Sequence, residues 1–157
     1  MKPNTRACIA YTAGRLIGQK TSSSIYDYSQ SKHISIDGKI DSNDVNIYDY
    51  ERGCHFDGNG NGSKYNLYDY GDSHHIDLTI KGSKFEGYDY GSACHFSGDV
   101  KSGSISLYDY GEASYFDYRL WVSQVLIAGK TISQVKCSTT SYFWNKKHSN
   151  EFSLFLK

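Results

Sequence analysis

Hydrophobic and polar residues alternate in short runs along most of the chain, and the runs recur at a regular interval. Val45 and Ile47 flank one polar residue, and Ile76, Leu78 and Ile80 are spaced in the same way. A period of two is typical of a β-strand with one buried face. Two runs of this kind fall in each interval, so the pattern predicts pairs of short strands.

The tripeptide Tyr-Asp-Tyr ends one run of each pair. It begins at residues 26, 48, 68, 88 and 108, so the first interval is 22 residues and the next three are 20. Glycine follows the last three copies directly, as Gly71, Gly91 and Gly111, which indicates turns at these points. One two-stranded unit has therefore been copied five times. Because one unit cannot bury its own apolar face, neighbouring units must supply its core.

Two architectures fit this repeat. The favoured prediction is an all-β repeat protein in which about five units stack as a β-solenoid or hairpin array, capped by irregular β segments at both ends. The alternative is an antiparallel meander, flat or barrel-like. We expect one domain, 1–157, with an N-terminal cap at 1–19, the repeats at 20–119 and a C-terminal β cap at 120–157.

The two caps are both expected to be built from strands. Residues 1–18 predict a strand pair rather than a signal peptide, because their apolar run is short and holds Tyr11 and Thr12. In the C-terminal cap we predict two strands around residues 128–130. A final hairpin is predicted to join residues 142–144 to 152–156.

Composition narrows the classes of partner. Tyr accounts for 15 residues, while Lys plus Arg and Asp plus Glu both total 17, so the net charge is zero. Nucleic-acid binding normally needs a basic excess, so we expect no nucleic-acid partner. No apolar stretch approaches the roughly 20 residues that span a bilayer. We therefore expect no membrane partner, a cytoplasmic location, and free thiols at Cys8, Cys54, Cys94 and Cys137.

The central aspartate of the motif forms one candidate column. Its parity along the strand places it on the buried face, where a carboxylate needs hydrogen-bond donors. We expect each one to accept hydrogen bonds from backbone N–H groups of the following turn. The alternative is a row of carboxylates that binds cations. The five residues are Asp27, Asp49, Asp69, Asp89 and Asp109.

A histidine stands seven residues after the first tyrosine in four of the five copies. We expect these histidines to pack across the hairpin from the second tyrosine of the motif rather than to bind metal. The four expected pairs are His33 with Tyr28, His55 with Tyr50, His75 with Tyr70, and His95 with Tyr90.

One segment matches the opening of a calcium-binding loop. Asp57, Asn59 and Asn61 alternate with glycines, which would let their side-chain oxygens converge on one ion. The closing glutamate is missing, and Tyr68 stands in its place. We therefore favour a glycine-rich, flexible turn, with these three residues as the metal-ligand candidates. No cofactor is expected.

The ten tyrosines of the motifs are the predicted binding residues. If both rings of each motif point outward, they form an aromatic strip that a soluble protein rarely leaves unused. The alternative is a bulge that turns the rings into the core. The candidates are Tyr26, Tyr28, Tyr48, Tyr50, Tyr68, Tyr70, Tyr88, Tyr90, Tyr108 and Tyr110.

Three classes of function remain open. The first is a non-catalytic binding or structural module that presents tyrosines to a polymeric partner, a glycan or a protein. The second is self-assembly through tyrosines and exposed strand edges. The third, and least favoured, is an enzyme or metal-binding protein with its site in the C-terminal segment, near His148. No nucleophile elbow, phosphate loop or paired metal motif is present in the sequence.

Overall fold

Ten antiparallel strands close into a barrel. The computed structural model describes residues 1–122 and the strands at 125–127, 130–132, 142–145 and 153–156. Each barrel strand pairs with its neighbour in sequence, and β1 pairs with β10 to complete the ring. The strands are β1 Ser24–Asp27, β2 Lys32–Ile40, β3 Asp44–Asp49, β4 Cys54–Gly60, β5 Lys64–Asp69, β6 His74–Lys81, β7 Lys84–Asp89, β8 Cys94–Lys101, β9 Ser104–Asp109 and β10 Ser114–Leu120.

The all-β class and the two strands per repeat are therefore confirmed, whereas the preference for a solenoid is wrong. Each repeat is a hairpin, and the hairpins follow one another as a meander. Closure follows from sheet twist, because a twisted meander of ten strands brings its two edge strands together. Closure also pairs both edges of the sheet, so the stack needs no strand caps at its ends.

Residues 1–19 do not form the expected strand pair. They form helix α1, Pro3–Gly18, which lies inside the barrel and contacts β1, β2, β8, β9 and β10. Residues Thr5 to Gly14 of the helix are all buried. A helix surrounded on every side carries no polar stripe, so its sequence lacks the amphipathic pattern that would reveal it. Small residues such as Ala7 and Ala10 favour helix and fit the narrow interior.

The barrel core combines helix side chains with the inward residues of the strands. Ile25, Ile47, Ile76 and Leu107 have no more than 1 % of their surface exposed. Gly60 faces the ring of Tyr65, its partner across β4 and β5. A missing side chain thus leaves room for an aromatic ring on the next strand.

The longer first repeat changes the strand register by two residues. Asp49 pairs with Ile36, ten residues after the first tyrosine of its repeat, whereas Asp69 pairs with Phe56, eight residues after. Gly38 lies in the additional stretch with a φ of 141°, a region that favours glycine. The 22-residue interval therefore adds two residues to the stagger between β2 and β3, and such staggers set the tilt of strands in a barrel.

Residues 122–157 form a separate compact unit. Its strands are β11 Val125–Ile127, β12 Lys130–Ile132, β13 Tyr142–Asn145 and β14 Ser153–Leu156. β11 pairs with β12, and β13 pairs with β14, both antiparallel. The two predicted hairpins are confirmed. Among the described residues, no helix has both the length and the apolar character needed to cross a membrane.

Candidate functional site

The central aspartate of every motif closes a turn, as predicted. Oδ1 of each carboxylate accepts a hydrogen bond from the backbone N–H two residues later, over 2.8–3.0 Å. The five carboxylates, which we call the aspartate ring, are at most 1 % exposed. Contacts between these carboxylates and α1 were not predicted, because no helix was expected inside the barrel.

The aspartate ring surrounds the N-terminal end of α1. Asn4 Nδ2 donates to Asp49 over 3.3 Å, Thr5 Oγ1 donates to Asp69 over 2.8 Å, and Arg6 donates to Asp109 over 3.1 Å. The first turn of α1 contains no acidic residue of its own. The ring supplies the negative charge that favours the positive end of the helix dipole. All five aspartates close turns, and three of them also bind the helix, which argues against a row of cation sites.

Arg52 neutralises part of the ring. Its Nε donates to Asp49 over 2.6 Å, and its Nη1 lies 3.0 Å from both carboxylate oxygens of Asp69. Its Nη2 reaches the sulfur of Cys8 at 3.6 Å. Burial and the nearby Asp49 raise the pKa of the Cys8 thiol well above its ordinary value. Cys8 is consequently a protonated, inert thiol at neutral pH.

All ten motif tyrosines lie on the outer face of the barrel, as the strand parity predicted. The second tyrosine of each motif is 53–61 % exposed, and the first is half-buried. Within each motif the two rings meet edge to face, with centroids 4.8–5.0 Å apart. We call these ten tyrosines, with His33, His55, His75 and His95, the tyrosine belt.

Each histidine was predicted to face the second tyrosine of its motif, and this prediction was wrong. Each histidine pairs with the first tyrosine of its motif, as in Tyr48 with His55 and Tyr88 with His95. The four pairs have ring centroids 4.8–4.9 Å apart in edge-on geometry. The second tyrosine belongs to the four-residue turn, as in the turn at 28–31, which joins Asp27 to its pairing partner Lys32. The residue opposite the histidine is therefore the first tyrosine. In the fifth copy Tyr115 takes the place of the histidine.

The calcium-loop segment is not a flexible turn. Asp57 and Asn59 belong to the extended strand β4, where alternate residues lie about 7 Å apart. Asn61 closes the next turn, and its Oδ1 accepts hydrogen bonds from the N–H groups of Ser63 and Lys64. Among the described residues, no group of three or more His, Cys, Asp or Glu side chains could hold a metal ion.

Two shallow grooves cross the outer face beside the tyrosine belt. One has a volume of about 590 Å³ and is lined by the aromatic residues Tyr88, His95 and Tyr110. The other, about 560 Å³, is lined mainly by polar residues of β4 to β6. Asp77 and Thr79 line both grooves. The outer face therefore combines aromatic rings with hydrogen-bonding groups in one region.

Sequence reasoning missed the polar part of this region. Asp77 of β6 lies between Asn66 of β5 and Tyr88 of β7 in the strand register. The same arrangement recurs one repeat earlier, with Asn46, Asp57 and Tyr68. The sequence does repeat an aspartate nine residues after the first tyrosine, as Asp57 and Asp77. Only the strand register shows which residues lie beside these aspartates.

Several sequence predictions concern residues outside this region. Cys8, Cys54 and Cys94 are free thiols, as expected. Cys137 and His148 lie outside the described residues. The chain matches no known protein-family model, no curated protein and no solved structure.

Proposed function

We propose that this protein is a non-catalytic carbohydrate-binding module that presents several sugar sites around the outside of a closed barrel. The observation that carries the proposal is the exposure of the second tyrosine in all five motifs, at 53–61 %, beside polar strand residues. Sugar rings combine apolar faces with hydroxyl groups, so they bind where aromatic rings adjoin hydrogen-bonding side chains.

The groove at Tyr88 and Tyr110 fits this chemistry best. It adds the acceptors Asp77 and Glu86 and the hydroxyl of Thr79 to the aromatic side chains. A hydrogen bond from Lys81 lowers the pKa of Glu86, so its carboxylate is ionised at neutral pH. A carboxylate is a strong acceptor for sugar hydroxyl donors.

Barrel closure changes the form of partner that we propose. The tyrosines of successive repeats point in successive directions around the barrel, because the sheet is curved into a ring. One straight polymer cannot lie on all five motifs at once. Short, separate sugar chains suit such an arrangement, because each can occupy one motif without following the curve of the barrel.

Self-assembly is the competing function, and it would use the same tyrosines. Within residues 24–120 every strand is paired on both sides, so edge-to-edge joining of barrels has no free edge to use. Assembly would have to proceed through the tyrosine belt. Light scattering at high protein concentration distinguishes the two functions, because a carbohydrate-binding module remains a monomer without ligand.

The direct test is a glycan array probed with the full chain, followed by titration of the sugars that bind. Tyr110→Ala should weaken binding at the Tyr88–Tyr110 groove at least about tenfold, because truncating a central aromatic contact typically costs about 2 kcal/mol or more. Lys84→Ala is the matched control, an exposed change on β7 outside both grooves. Absence of binding to any glycan, or equal binding by Tyr110→Ala and the control, contradicts the proposal.

A further inference from the structure

The two grooves on the outer face adjoin at one side chain, Asp77. Both are lined by Asp77 and by Thr79, which stand two residues apart on β6. One groove extends toward β7 and β8 and the other toward β4 and β5. The two therefore form one path across the strands, with Asp77 at its middle.

Asp77 is held in a fixed orientation. Asn66 Nδ2 donates to its Oδ1 over 2.9 Å, and Tyr90 Oη donates to its Oδ2 over 2.9 Å. The hydrogen bond to Asp77 raises the pKa of Tyr90, so the tyrosine remains a donor at neutral pH. Each carboxylate oxygen can accept a second hydrogen bond. The two carboxylate oxygens of Asp77 are thus oriented acceptors, one available to a ligand in each groove.

The two ends of the path differ in chemistry. The end at Tyr88, His95 and Tyr110 offers aromatic rings. The other end offers amide groups from Asn59 and Asn66, with the ammonium group of Lys64. A ligand that spans the path therefore needs an apolar face at one end and several hydroxyl groups at the other. It also needs donors near its middle to meet the carboxylate.

We propose that this path binds an oligosaccharide of at least two consecutive sugar units, with Asp77 at the junction between them. This inference rests on the proposed carbohydrate-binding function and adds the length of the ligand and its orientation. One unit lies against the aromatic end and the next lies over the amide end. The distance from β5 to β7 is two strand spacings, about 10 Å, which is comparable to the length of two sugar rings.

The experiment is a titration of the full chain with oligosaccharides of one to six units, using gluco-, manno- and chito-oligosaccharide series. For the wild-type protein the affinity should rise at least tenfold between one and two units and then level off. Asp77→Ala should abolish this gain, so that two units bind the variant no more tightly than one. The matched control is Asp57→Ala, which removes the same column residue one repeat earlier and lies outside both grooves.

The outcomes separate the inference from the proposed function. Binding that depends on Tyr110 but is independent of ligand length overturns the inference and leaves the function in place. Equal effects of Asp77→Ala and Asp57→Ala also overturn the inference. Absence of binding by every sugar in the array and in the series overturns both. Circular dichroism and thermal unfolding of the two variants establish that each retains the barrel.

Discussion

Arg52 and Asp69 form a two-point ion pair between the turn of one hairpin and the motif of the next, with Nη1 of Arg52 lying 3.0 Å from both carboxylate oxygens. The same guanidinium donates to Asp49 of its own motif. Arg52 therefore ties two repeats to each other at the N-terminal end of α1, where the aspartate ring concentrates negative charge.

Replacing Arg52 should destabilise the barrel strongly. Arg52→Ala leaves two buried carboxylates without their cation, and such a loss typically costs about 3 kcal/mol in the free energy of unfolding. Urea unfolding followed by circular dichroism measures the change. Arg119→Ala is the control, because Arg119 makes an exposed hydrogen bond to Ser104. A loss below 1 kcal/mol for Arg52→Ala would show that the ion pair contributes little.

The turn after each motif contains one residue in the left-handed conformation. The position is the same in every copy, with a φ of 50–66° at Ser31, Gly53, Ser73, Ala93 and Ala113. Ala93→Gly should raise the free energy of unfolding by up to about 1 kcal/mol, because the left-handed conformation costs an alanine roughly that amount. Thermal unfolding provides the measurement.

Gly53→Ala is the reciprocal control for this turn. The nearest atom to an added Cβ at Gly53 is the hydroxyl of Tyr48 at 3.7 Å, an ordinary contact. Any fall in the free energy of unfolding of Gly53→Ala therefore reports backbone strain alone. We expect this fall to be similar in size to the rise for Ala93→Gly. Equal stability of both variants and the wild type would contradict the strain.

Acid should destabilise the fold through Asp72 and Asp109. Burial alone raises the pKa of the Asp72 carboxyl, but hydrogen bonds from Lys2 and Thr5 and the charge of Arg52 hold it below its ordinary value. Burial also raises the pKa of Asp109, but the ammonium group of Met1 and, to a smaller extent, Arg6 hold it below its ordinary value. A lowered folded-state pKa means that the stabilisation is present above the unfolded-state pKa of about 3.9 and is lost as the pH falls through the folded-state pKa.

Urea unfolding between pH 7 and pH 2.5 tests this expectation. The free energy of unfolding should fall steeply below pH 4 in the wild-type protein. Asp72→Asn should be less stable at pH 7 and should show a shallower fall, because one of the linked protonations is removed. A wild-type stability that is flat down to pH 3 would be inconsistent with the lowered pKa values.

Cys8 should react with thiol reagents at the rate at which the barrel opens. It is fully buried on the helix, and burial raises its pKa. In a variant with Cys54, Cys94 and Cys137 replaced by serine, labelling of Cys8 with Ellman's reagent should be slow and should accelerate in proportion to the unfolded fraction in urea. Rapid labelling without denaturant would show that the helix leaves the barrel independently of global unfolding.

The missing side chain at Gly60 should be required for packing of Tyr65. An added Cβ would meet the Tyr65 ring, which is 3 % exposed, so Gly60→Ala should cost about 1–3 kcal/mol. Adding Tyr65→Leu should recover part of this loss, because the smaller side chain frees the space. Gly18→Ala is the control, since nothing lies within 4 Å of an added Cβ there. Additive effects of the two core changes would contradict the contact.

The sequence was sufficient for the strands and turns of the repeats, because these depend on local alternation and turn chemistry. Asp69 is an example: parity placed it inward, and the turn supplied its donors. Strand parity favoured outward tyrosines but left the inward alternative open. The helix was missed because Thr5 to Gly14 are enclosed on all sides and show no amphipathic pattern. Barrel closure and the meeting of Asn66, Asp77 and Tyr90 depend on strand register between repeats, which no single repeat contains.

The enclosed helix also limits how this protein can change in evolution. Gain or loss of one 20-residue copy would change the strand number by two, and barrel diameter grows with strand number. A wider ring would leave α1 loose, while a ring of about eight strands would have an interior already filled by its own side chains. Open repeat arrays lengthen one copy at a time, but here the copy number and the helix must change together.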